Sequence, residues 1–176
     1  SHVTVAGWTG RDRAAVDHHI AELAAIGVAP PSAVPLYYRV SADLLTQSAA
    51  IQVVGPDTSG EVEPLVIKSA GSVFIGLASD HTDRALETVS VAASKQICAK
   101  PVADTLWPWD EVADRLDQLV LTADIAENGT WVRYQEGTLA GIQPLETLMA
   151  GAALPDDAAM LCGTLPTLGG VRAAPH

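Results

Sequence analysis

The chain has 176 residues, 48% of them hydrophobic, and its ten basic and twenty-one acidic residues give a net charge of -11. This length suits the core of one domain, so we expect a single domain over residues 1–176, truncated at both ends. The negative charge argues against a nucleic-acid partner, and no apolar run approaches the roughly eighteen residues of a membrane span. We therefore expect a cytoplasmic protein that binds neither nucleic acid nor membrane.

The two cysteines, Cys98 and Cys162, form no C-x-x-C pair and no disulfide framework. We predict that both are buried small side chains, because free cysteine is among the most buried residue types. This use of cysteine is typical of a reducing compartment.

The N-terminal third contains the clearest predicted helix, over residues 11–26. Thr9 and Asp12 have capping-box spacing, and Gly27 provides a stop. His19 and Glu22 are three residues apart on this helix and are therefore neighbours on its surface. That spacing permits a histidine–carboxylate dyad. The simpler alternative is that His19 and Glu22 are unrelated surface side chains, and the adjacent His18 competes with His19 as the histidine of such a dyad.

Further elements follow in chain order from periodicity and turn residues. We predict strands at 36–40 and 51–54, a hairpin of strands 65–67 and 73–77 around a turn at 70–72, and helical segments at 86–96 and 109–121. After these we predict a hairpin of strands 119–125 and 130–135 around Asn128-Gly129, a helix at 144–150 and a strand at 158–162.

Three carboxylates lie on either side of the first predicted hairpin. Glu61 and Glu63 share one face of an extended chain, because alternate side chains of a strand point the same way. The hairpin would bring Asp80 back beside them, whereas His81 and Asp83 would point away. Like charges held this close repel unless a cation lies between them, and oxygen-only sites suit Mg²⁺, Mn²⁺ or Ca²⁺. The alternative is that Glu61 and Glu63 form the solvated face of an edge strand.

The order of several short motifs resembles the fumarylacetoacetate hydrolase superfamily, in particular an uncharacterised bacterial branch. The segments that carry the resemblance are His19-Ile20-Ala21-Glu22 (H-x-x-E), Leu36-Tyr37-Tyr38-Arg39 (F-x-K), Glu61-Val62-Glu63 (E-x-E), Asp80-His81-Thr82-Asp83-Arg84 (D-x-T-x-R), Ala99-Lys100-Pro101 (the active-site lysine), Asn128-Gly129 through Gln135 (N-G…R-Q) and Gly163-Thr164-Leu165-Pro166 (G-T-P). Arg39 stands where the family has lysine, and Leu165 interrupts the G-T-P loop. These differences concern the substrate more than the metal.

The resemblance implies an α+β, β-rich fold, a fumarylacetoacetate-hydrolase-like mixed β roll with a few short helices, usually as a homodimer. It also implies Mg²⁺ or Mn²⁺ held by Glu61, Glu63 and Asp80, with Ca²⁺ as an ion that crystals could contain.

The resemblance further implies roles for the remaining site residues. His19 would be the general base that activates water, Glu22 would orient it, and Lys100 would be a second cation for developing negative charge. Substrate contacts would come from Arg39, Arg84, Gln135 and Thr164. Arg84 would orient Asp80 or a substrate carboxylate, since guanidinium stays protonated. Lys100 precedes a proline, and the alternative is that it is a loop lysine without a catalytic role.

The function implied is hydrolysis of a C–C bond in a small oxo acid or 1,3-dicarbonyl, similar to an acylpyruvate, through a metal-stabilised enolate. The alternatives are a lyase of the same site, acting as a decarboxylase, hydratase or tautomerase, and a non-catalytic relative that only binds metal or ligand.

Overall fold

The computed structural model describes residues 2–25 and 29–174. The strands are β1 (Val3–Gly7), β2 (Leu36–Val40), β3 (Leu45–Thr46), β4 (Thr58–Ser59), β5 (Val62–Ser69), β6 (Ser72–Ser79), β7 (Thr82–Asp83), β8 (Lys100–Pro101), β9 (Trp107–Pro108), β10 (Val120–Glu127), β11 (Thr130–Thr138) and β12 (Ala158–Leu161). The helices are α1 (Arg13–Ala25), α2 (Arg84–Glu87), α3 (Val91–Gln96), α4 (Trp109–Val112) and α5 (Leu145–Gly151), with 3-10 turns at Ala42–Leu44, Ala113–Gln118 and Leu139–Gly141.

The main sheet has six strands in the order β2-β1-β12-β5-β6-β9. It is mixed, because β1 and β12 run parallel while the other neighbours are antiparallel. Three two-stranded ladders surround it: β10 with β11, β3 with β8, and β4 with β7. The predicted β-rich mixed architecture with short helices is confirmed.

The core lies on both faces of this sheet. Val66 and Met160 belong to one buried cluster, whereas their strand neighbours Leu65 and Leu161 belong to the other. Successive strand residues point to opposite faces, so each strand contributes to both clusters. The sheet therefore gives the carboxylates at the start of β5 a rigid, water-excluded support.

The β5–β6 hairpin is confirmed, and it is longer than predicted. Its turn uses Ala70 and Gly71, both with positive φ, and its ladder extends back to the pairing of Val62 with Ser79. The backbone N–H of Asp80 donates to the carbonyl of Glu61 at 2.9 Å. The hairpin therefore places Asp80 beside the E-x-E segment, as predicted.

The β10–β11 hairpin is also confirmed. Asn128 and Gly129 have φ of 51° and 77°, the positive values that a tight Asn-Gly hairpin turn requires. The predicted helix at 144–150 corresponds to α5 and the predicted strand at 158–162 to β12.

The first predicted helix corresponds to α1, but its cap differs from the prediction. The Asp12 carboxylate accepts hydrogen bonds from the N–H groups of Ala14 at 2.9 Å and Ala15 at 3.2 Å. Asp12 rather than Thr9 therefore caps the first turn, and the helix starts two residues later than predicted. The predicted stop at Gly27 lies outside the described residues.

Several predictions of regular structure are wrong. Residues 51–54 form no strand, and Val54 is 70% exposed, because this short apolar run has no partner strand. Residues 86–96 divide into α2 and α3, since Ser90 starts a new helix by accepting a hydrogen bond from Ala93 N–H. The segment 109–121 is α-helical only over Trp109–Val112; it continues as a 3-10 turn and then enters β10, in agreement with the alternative that its end turns into a strand.

Cys98 and Cys162 are both free and buried, as predicted. Among the helices of the described residues, none has the length and apolar content that crossing a membrane requires.

Candidate active site

Three carboxylates lie together where β5 begins and β6 ends. Glu63 and Asp80 are 2% and 1% exposed, and the Glu61 side chain is 14% exposed. A buried carboxylate is costly unless cations or hydrogen-bond donors compensate it. These residues are therefore not the solvated face of an edge strand, and their partners define a candidate site.

Two lysines hold the Asp80 carboxylate. The Lys95 ammonium donates to Asp80 Oδ2, and Lys100 Nζ lies 3.2 Å from Asp80 Oδ1. The second contact lacks hydrogen-bond geometry, so Oδ1 is a buried oxygen without a hydrogen-bond partner among the described residues. Burial alone would raise the pKa of Asp80, but the charges of Lys95 and Lys100 outweigh it and hold that pKa below its ordinary value.

Lys95 is the site residue that the sequence analysis missed. It lies in the last turn of α3 and is only 6% exposed. Burial lowers the pKa of its ammonium, but attraction by Asp80, Glu63 and Glu61 reverses that effect and raises the pKa well above its ordinary value. A second lysine five residues before Lys100, in a segment rich in small and apolar residues, was the signal that could have revealed it.

Lys100 lies at the site, as predicted, but its ammonium is enclosed by protein. It is fully buried and donates to the backbone carbonyls of His81 and of Lys95, the latter at 2.7 Å. Burial lowers the pKa of this lysine despite the nearby Asp80 carboxylate. Lys95, in contrast, points its charge at the carboxylates.

Glu63 has weaker compensation than Asp80. Its Oε2 accepts a hydrogen bond of 2.8 Å from the backbone N–H of Gly163. Burial, reinforced by the negative charge of Asp80, raises the pKa of Glu63 well above its ordinary value. The pKa values of the two buried carboxylates, Glu63 and Asp80, thus shift in opposite directions.

Arg84 lies against Glu61 rather than Asp80. Its guanidinium is 3.4 Å from the Glu61 carboxylate and 3.0 Å from that of Glu87, and its Nε donates to Ser59 Oγ at 2.8 Å. One guanidinium nitrogen, Nη2, is buried without a hydrogen-bond partner. The groups that contact Asp80 are the ammonium groups of Lys95 and Lys100, whereas the predicted partner Arg84 contacts Glu61.

Gln135 and Thr164 brace the E-x-E segment. The Gln135 side-chain oxygen accepts from Val62 N–H at 2.8 Å, and its amide nitrogen donates to Thr164 Oγ1 and the Leu165 carbonyl, both at 2.7 Å. Thr164 donates in turn to the Val62 carbonyl at 2.7 Å. Gln135 is fully buried and its amide is used inside the protein, so it braces the E-x-E segment, and its role as a substrate contact stays a prediction.

The structure does not place the remaining predicted residues in this cluster. His19 is exposed on α1, with its ring centroid 6.0 Å from that of Trp8. The Glu22 side chain lies outside the described part of the chain, so the predicted dyad stays a prediction. Arg39 is exposed on β2, where it pairs with Thr4 of β1.

The carboxylates fit a hard cation by their chemistry, although they are not arranged around one. Within the described ranges, no three His, Cys, Asp or Glu side chains are grouped so that they could hold a metal ion. The donor set nevertheless consists of carboxylate oxygens, which Mg²⁺ and Mn²⁺ prefer, and Asp80 Oδ1 lacks a hydrogen-bond partner. In this structure Lys95, Lys100 and Arg84 supply the compensating charge.

Comparison with known families identifies the chain by sequence. The model of the family DUF2848, described as a protein of unknown function, matches residues 6–176. The chain belongs to this family. No functionally curated protein matches this DUF2848 chain by sequence.

Solved structures show the fold of the DUF2848 chain. Cg1458 is 15% identical with a TM-score of 0.72, covering 98% of this chain and 67% of that one. A 2-keto-3-deoxy-D-arabinonate dehydratase complexed with magnesium and 2,5-dioxopentanoate is 16% identical, with a TM-score of 0.67 and coverage of 97% and 65%. The maleylpyruvate hydrolase of Sphingobium sp. SYK-6, in complex with manganese(II) and pyruvate, is 14% identical, with a TM-score of 0.63 and coverage of 97% and 62%.

These similarities confirm the predicted fumarylacetoacetate-hydrolase-like fold. At this level of identity they establish the fold alone. The DUF2848 chain spans about two thirds of the length of the structures it matches.

Proposed function

We propose that this DUF2848 chain is a divalent-metal-dependent enzyme of small oxo acids within the fumarylacetoacetate hydrolase superfamily. The observation that carries the proposal is the buried group of Glu61, Glu63 and Asp80 with the protonated Lys95 against it. A protein keeps buried, imperfectly compensated charges at a cost in stability, and such groups concentrate at functional sites. The oxo-acid ligands of the magnesium and manganese complexes with the same fold support this substrate class.

Glu61, Glu63 and Asp80 would hold Mg²⁺ or Mn²⁺. When bound, the ion would act as a Lewis acid toward the oxygens of a keto acid or 1,3-dicarbonyl, a contribution worth several kcal/mol in comparable sites. Burial raises the pKa of Glu63 in the metal-free protein, and a cation bound beside it would oppose that shift and favour the ionised carboxylate.

Lys95 is the residue that we expect to meet developing negative charge. Its ammonium stays protonated because the surrounding carboxylates raise its pKa. A protonated lysine cannot act as a nucleophile, so its expected role is electrostatic, in an environment where burial strengthens the interaction. Lys100, the lysine named from the motif, lies behind it.

For His19 we retain the role of general base, with Glu22 as its orienting partner. A physical connection supports this role: Trp8 packs on His19, and the next residue, Thr9, lies against Gly163, whose N–H holds Glu63. Movement of α1 would thus be coupled to the loop that supports the carboxylates. Catalytic hydrogen bonds in free enzymes are often formed only with substrate present.

The favoured reaction is hydrolysis of a C–C bond in an acylpyruvate-like substrate. Its rival is a lyase of the same site, acting as a decarboxylase, hydratase or tautomerase. The exposure of His19 favours the decarboxylase and tautomerase forms of this rival, because neither reaction adds water to the substrate and neither needs a base that activates water. A homodimer and a cytoplasmic location remain predictions from the resemblance and from the sequence.

The test is metal-dependent turnover of a panel of acylpyruvates, oxaloacetate and 1,3-diketones, followed by ultraviolet absorbance. We expect a Mg²⁺- or Mn²⁺-dependent rate that falls at least ~100-fold in Asp80→Asn and Lys95→Met. Glu111→Gln, which removes the charge of an exposed glutamate on α4, is the control and should keep the wild-type rate.

Product analysis separates the two reactions. Hydrolysis releases two acids from an acylpyruvate or oxaloacetate, and an acid and a ketone from a 1,3-diketone. Decarboxylation releases carbon dioxide, hydration adds one water to the substrate, and tautomerisation changes its absorbance without changing its mass. An absence of turnover on every substrate, with metal bound, would instead favour a non-catalytic binding protein.

A further inference from the structure

Lys100 is a fully buried lysine whose ammonium contacts three acceptors. They are the carbonyls of His81 and Lys95 and, at 3.2 Å, Asp80 Oδ1. An ammonium has three donors and no acceptor; two of them are used by the backbone carbonyls, and Asp80 Oδ1 lies within ion-pair distance. Because the side chain is also fully buried, it presents no surface to a substrate in this structure.

The cost of burying Lys100 requires an explanation, because Asp80 already has a charged partner. Lys95 pairs with Asp80 Oδ2 and would neutralise the carboxylate by itself. Removing a lysine from water costs several kcal/mol in real proteins even after relaxation. A second cation is therefore more than Asp80 alone requires, although Lys100 also adds to the positive charge that compensates the three carboxylates.

The positions of the three acceptors indicate what the second cation does. One is the main chain directly after Asp80, one is the other oxygen of Asp80, and the third is the main chain of Lys95 itself. The Lys95 carbonyl lies at the end of α3, where it also accepts a hydrogen bond of 3.4 Å from the backbone N–H of Cys98. The Nζ atom of Lys100 thus contacts both Asp80 and the main chain of Lys95.

The backbone of Lys100 is held independently of that pair. It belongs to β8, where Lys100 pairs with Leu45 of β3, and Val102 N–H donates to the Thr46 carbonyl at 2.9 Å. The ladder anchors the lysine from a part of the chain remote in sequence from the carboxylates. The side chain of Lys100 can therefore hold the groups that it contacts at a fixed position in the site.

We propose that Lys100 is a positioning residue that holds the Asp80 carboxylate and the Lys95 ammonium in their working orientation without touching substrate. This inference rests on the proposed function for its catalytic consequence, while the positioning itself is a property of the free protein. Loss of Lys100 would release the Lys95 main chain and one oxygen of Asp80 together.

The first test measures the position of Lys95 directly, without metal or substrate. The chain has only three lysines, so acetylation by an amine-reactive ester can be followed at each by peptide mass spectrometry. In Lys100→Met we expect Lys95 to react at least fivefold faster than in wild type. Lys68, which donates to the Leu154 carbonyl on another part of the sheet, is the internal control and should change less than twofold.

A parallel rise at Lys95 and Lys68 would show that Lys100 only stabilises the core, and an unchanged rate at Lys95 would show that it positions nothing. Either result overturns the proposal. Lys100→Gln, which keeps much of the side-chain length without the charge, serves if Lys100→Met does not fold. Loss of cooperative unfolding in both variants would also overturn it.

The second test uses turnover on whichever substrate the panel reveals. We expect kcat of Lys100→Met to fall at least tenfold with KM within twofold of wild type, because the lysine does not contact substrate. If wild type turns over nothing while Lys95 labelling still rises, the proposed function fails and the positioning role stands. If wild type is active but Lys95 labelling and kcat do not change, the positioning role fails alone.

Discussion

Glu63 and Asp80 are neighbouring buried carboxylates whose pKa values shift in opposite directions. Burial opposes ionisation of both, but the Lys95 and Lys100 ammonium groups contact Asp80, whereas Glu63 accepts one hydrogen bond, from Gly163, within the described residues. The partners, and not burial alone, therefore decide the charge of each group. At the residue scale this difference makes a pH-dependent prediction.

Glu63→Gln should stabilise the metal-free protein at neutral and alkaline pH. Glu63 has a folded pKa above its unfolded value, so its contribution to stability is fully present below about pH 4.3 and is lost as pH rises through the folded pKa. The glutamine side chain is neutral at every pH, so the variant does not lose stability in this way as the pH rises. We expect the gain in the free energy of unfolding, on the order of 1–3 kcal/mol, to grow from pH 5 to pH 8.

The measurement is urea unfolding in EDTA at several pH values, with Glu111→Gln as the exposed control. A gain that stays constant over this range would contradict the prediction. Asp80 has a lowered pKa, so its contribution is present above about pH 4 and is lost as pH falls further, in the variant and in wild type alike.

Gln135→Leu should destabilise the protein strongly although it removes no charge. The substitution leaves the Val62 N–H and the Leu165 carbonyl without their buried partner, and each such loss costs about 1–3 kcal/mol. The two losses together cost about 2–6 kcal/mol, so we expect the Tm to fall by roughly 4–24 °C, at about 2–4 °C per kcal/mol for a chain of this size. Gln118→Leu at an exposed position is the control, and an equal effect of the two changes would refute the bracing role.

At the scale of elements, the site depends on two loops that meet above the sheet. The loop after β1 brings Thr9 against Gly163, and the loop after β12 turns the Gly163 N–H toward Glu63. Gly163 has φ of 92°, and a Cβ there would overlap the Thr9 hydroxyl. Close approach and backbone conformation both require glycine at this position.

Gly163→Ala should therefore cost far more than the same change at Gly170. Gly170 has a similar φ of 85°, but nothing lies within 4 Å of an added Cβ. We expect Gly170→Ala to cost about 1–2 kcal/mol from the backbone alone, and Gly163→Ala more than about 4 kcal/mol. Equal losses in urea unfolding would show that the two loops do not depend on the close contact with Thr9.

At the scale of the whole molecule, the chain carries a net charge of -11 and concentrates three carboxylates in one buried site. A ligand that binds only the folded state stabilises it in proportion to the logarithm of its concentration. A cation that binds these carboxylates should therefore stabilise the fold more than ionic strength does. This comparison detects metal without requiring a substrate.

Mn²⁺ or Mg²⁺ at about 100 times its Kd should stabilise the protein by about 2.7 kcal/mol, which corresponds to a rise in Tm of roughly 5–10 °C. NaCl of equal ionic strength should have a much smaller effect. Asp80→Asn should lose the metal-dependent rise, whereas Asp43→Asn, at an exposed position, should keep it. A rise that NaCl reproduces, or that survives in Asp80→Asn, would speak against the metal site.

The sequence by itself determined the elements that local patterns encode. The β5–β6 and β10–β11 hairpins, α1 and the return of Asp80 to Glu61 follow from strand alternation, turn residues and capping, all of which act over a few residues. Motif order also predicted the fold, because it reflects the order of those elements.

Only the tertiary structure decided which partners the buried groups have. Lys95 and Asp80 are fifteen residues apart, and Gln135 reaches Val62 across seventy-three, so no periodicity indicates either contact. Residues 51–54 are apolar, but within the described residues they have no partner strand. The motif position of Lys100 likewise did not reveal that its ammonium donates to the Lys95 carbonyl. The physical reason is that burial and charge compensation depend on what the rest of the chain places nearby, which local sequence does not specify.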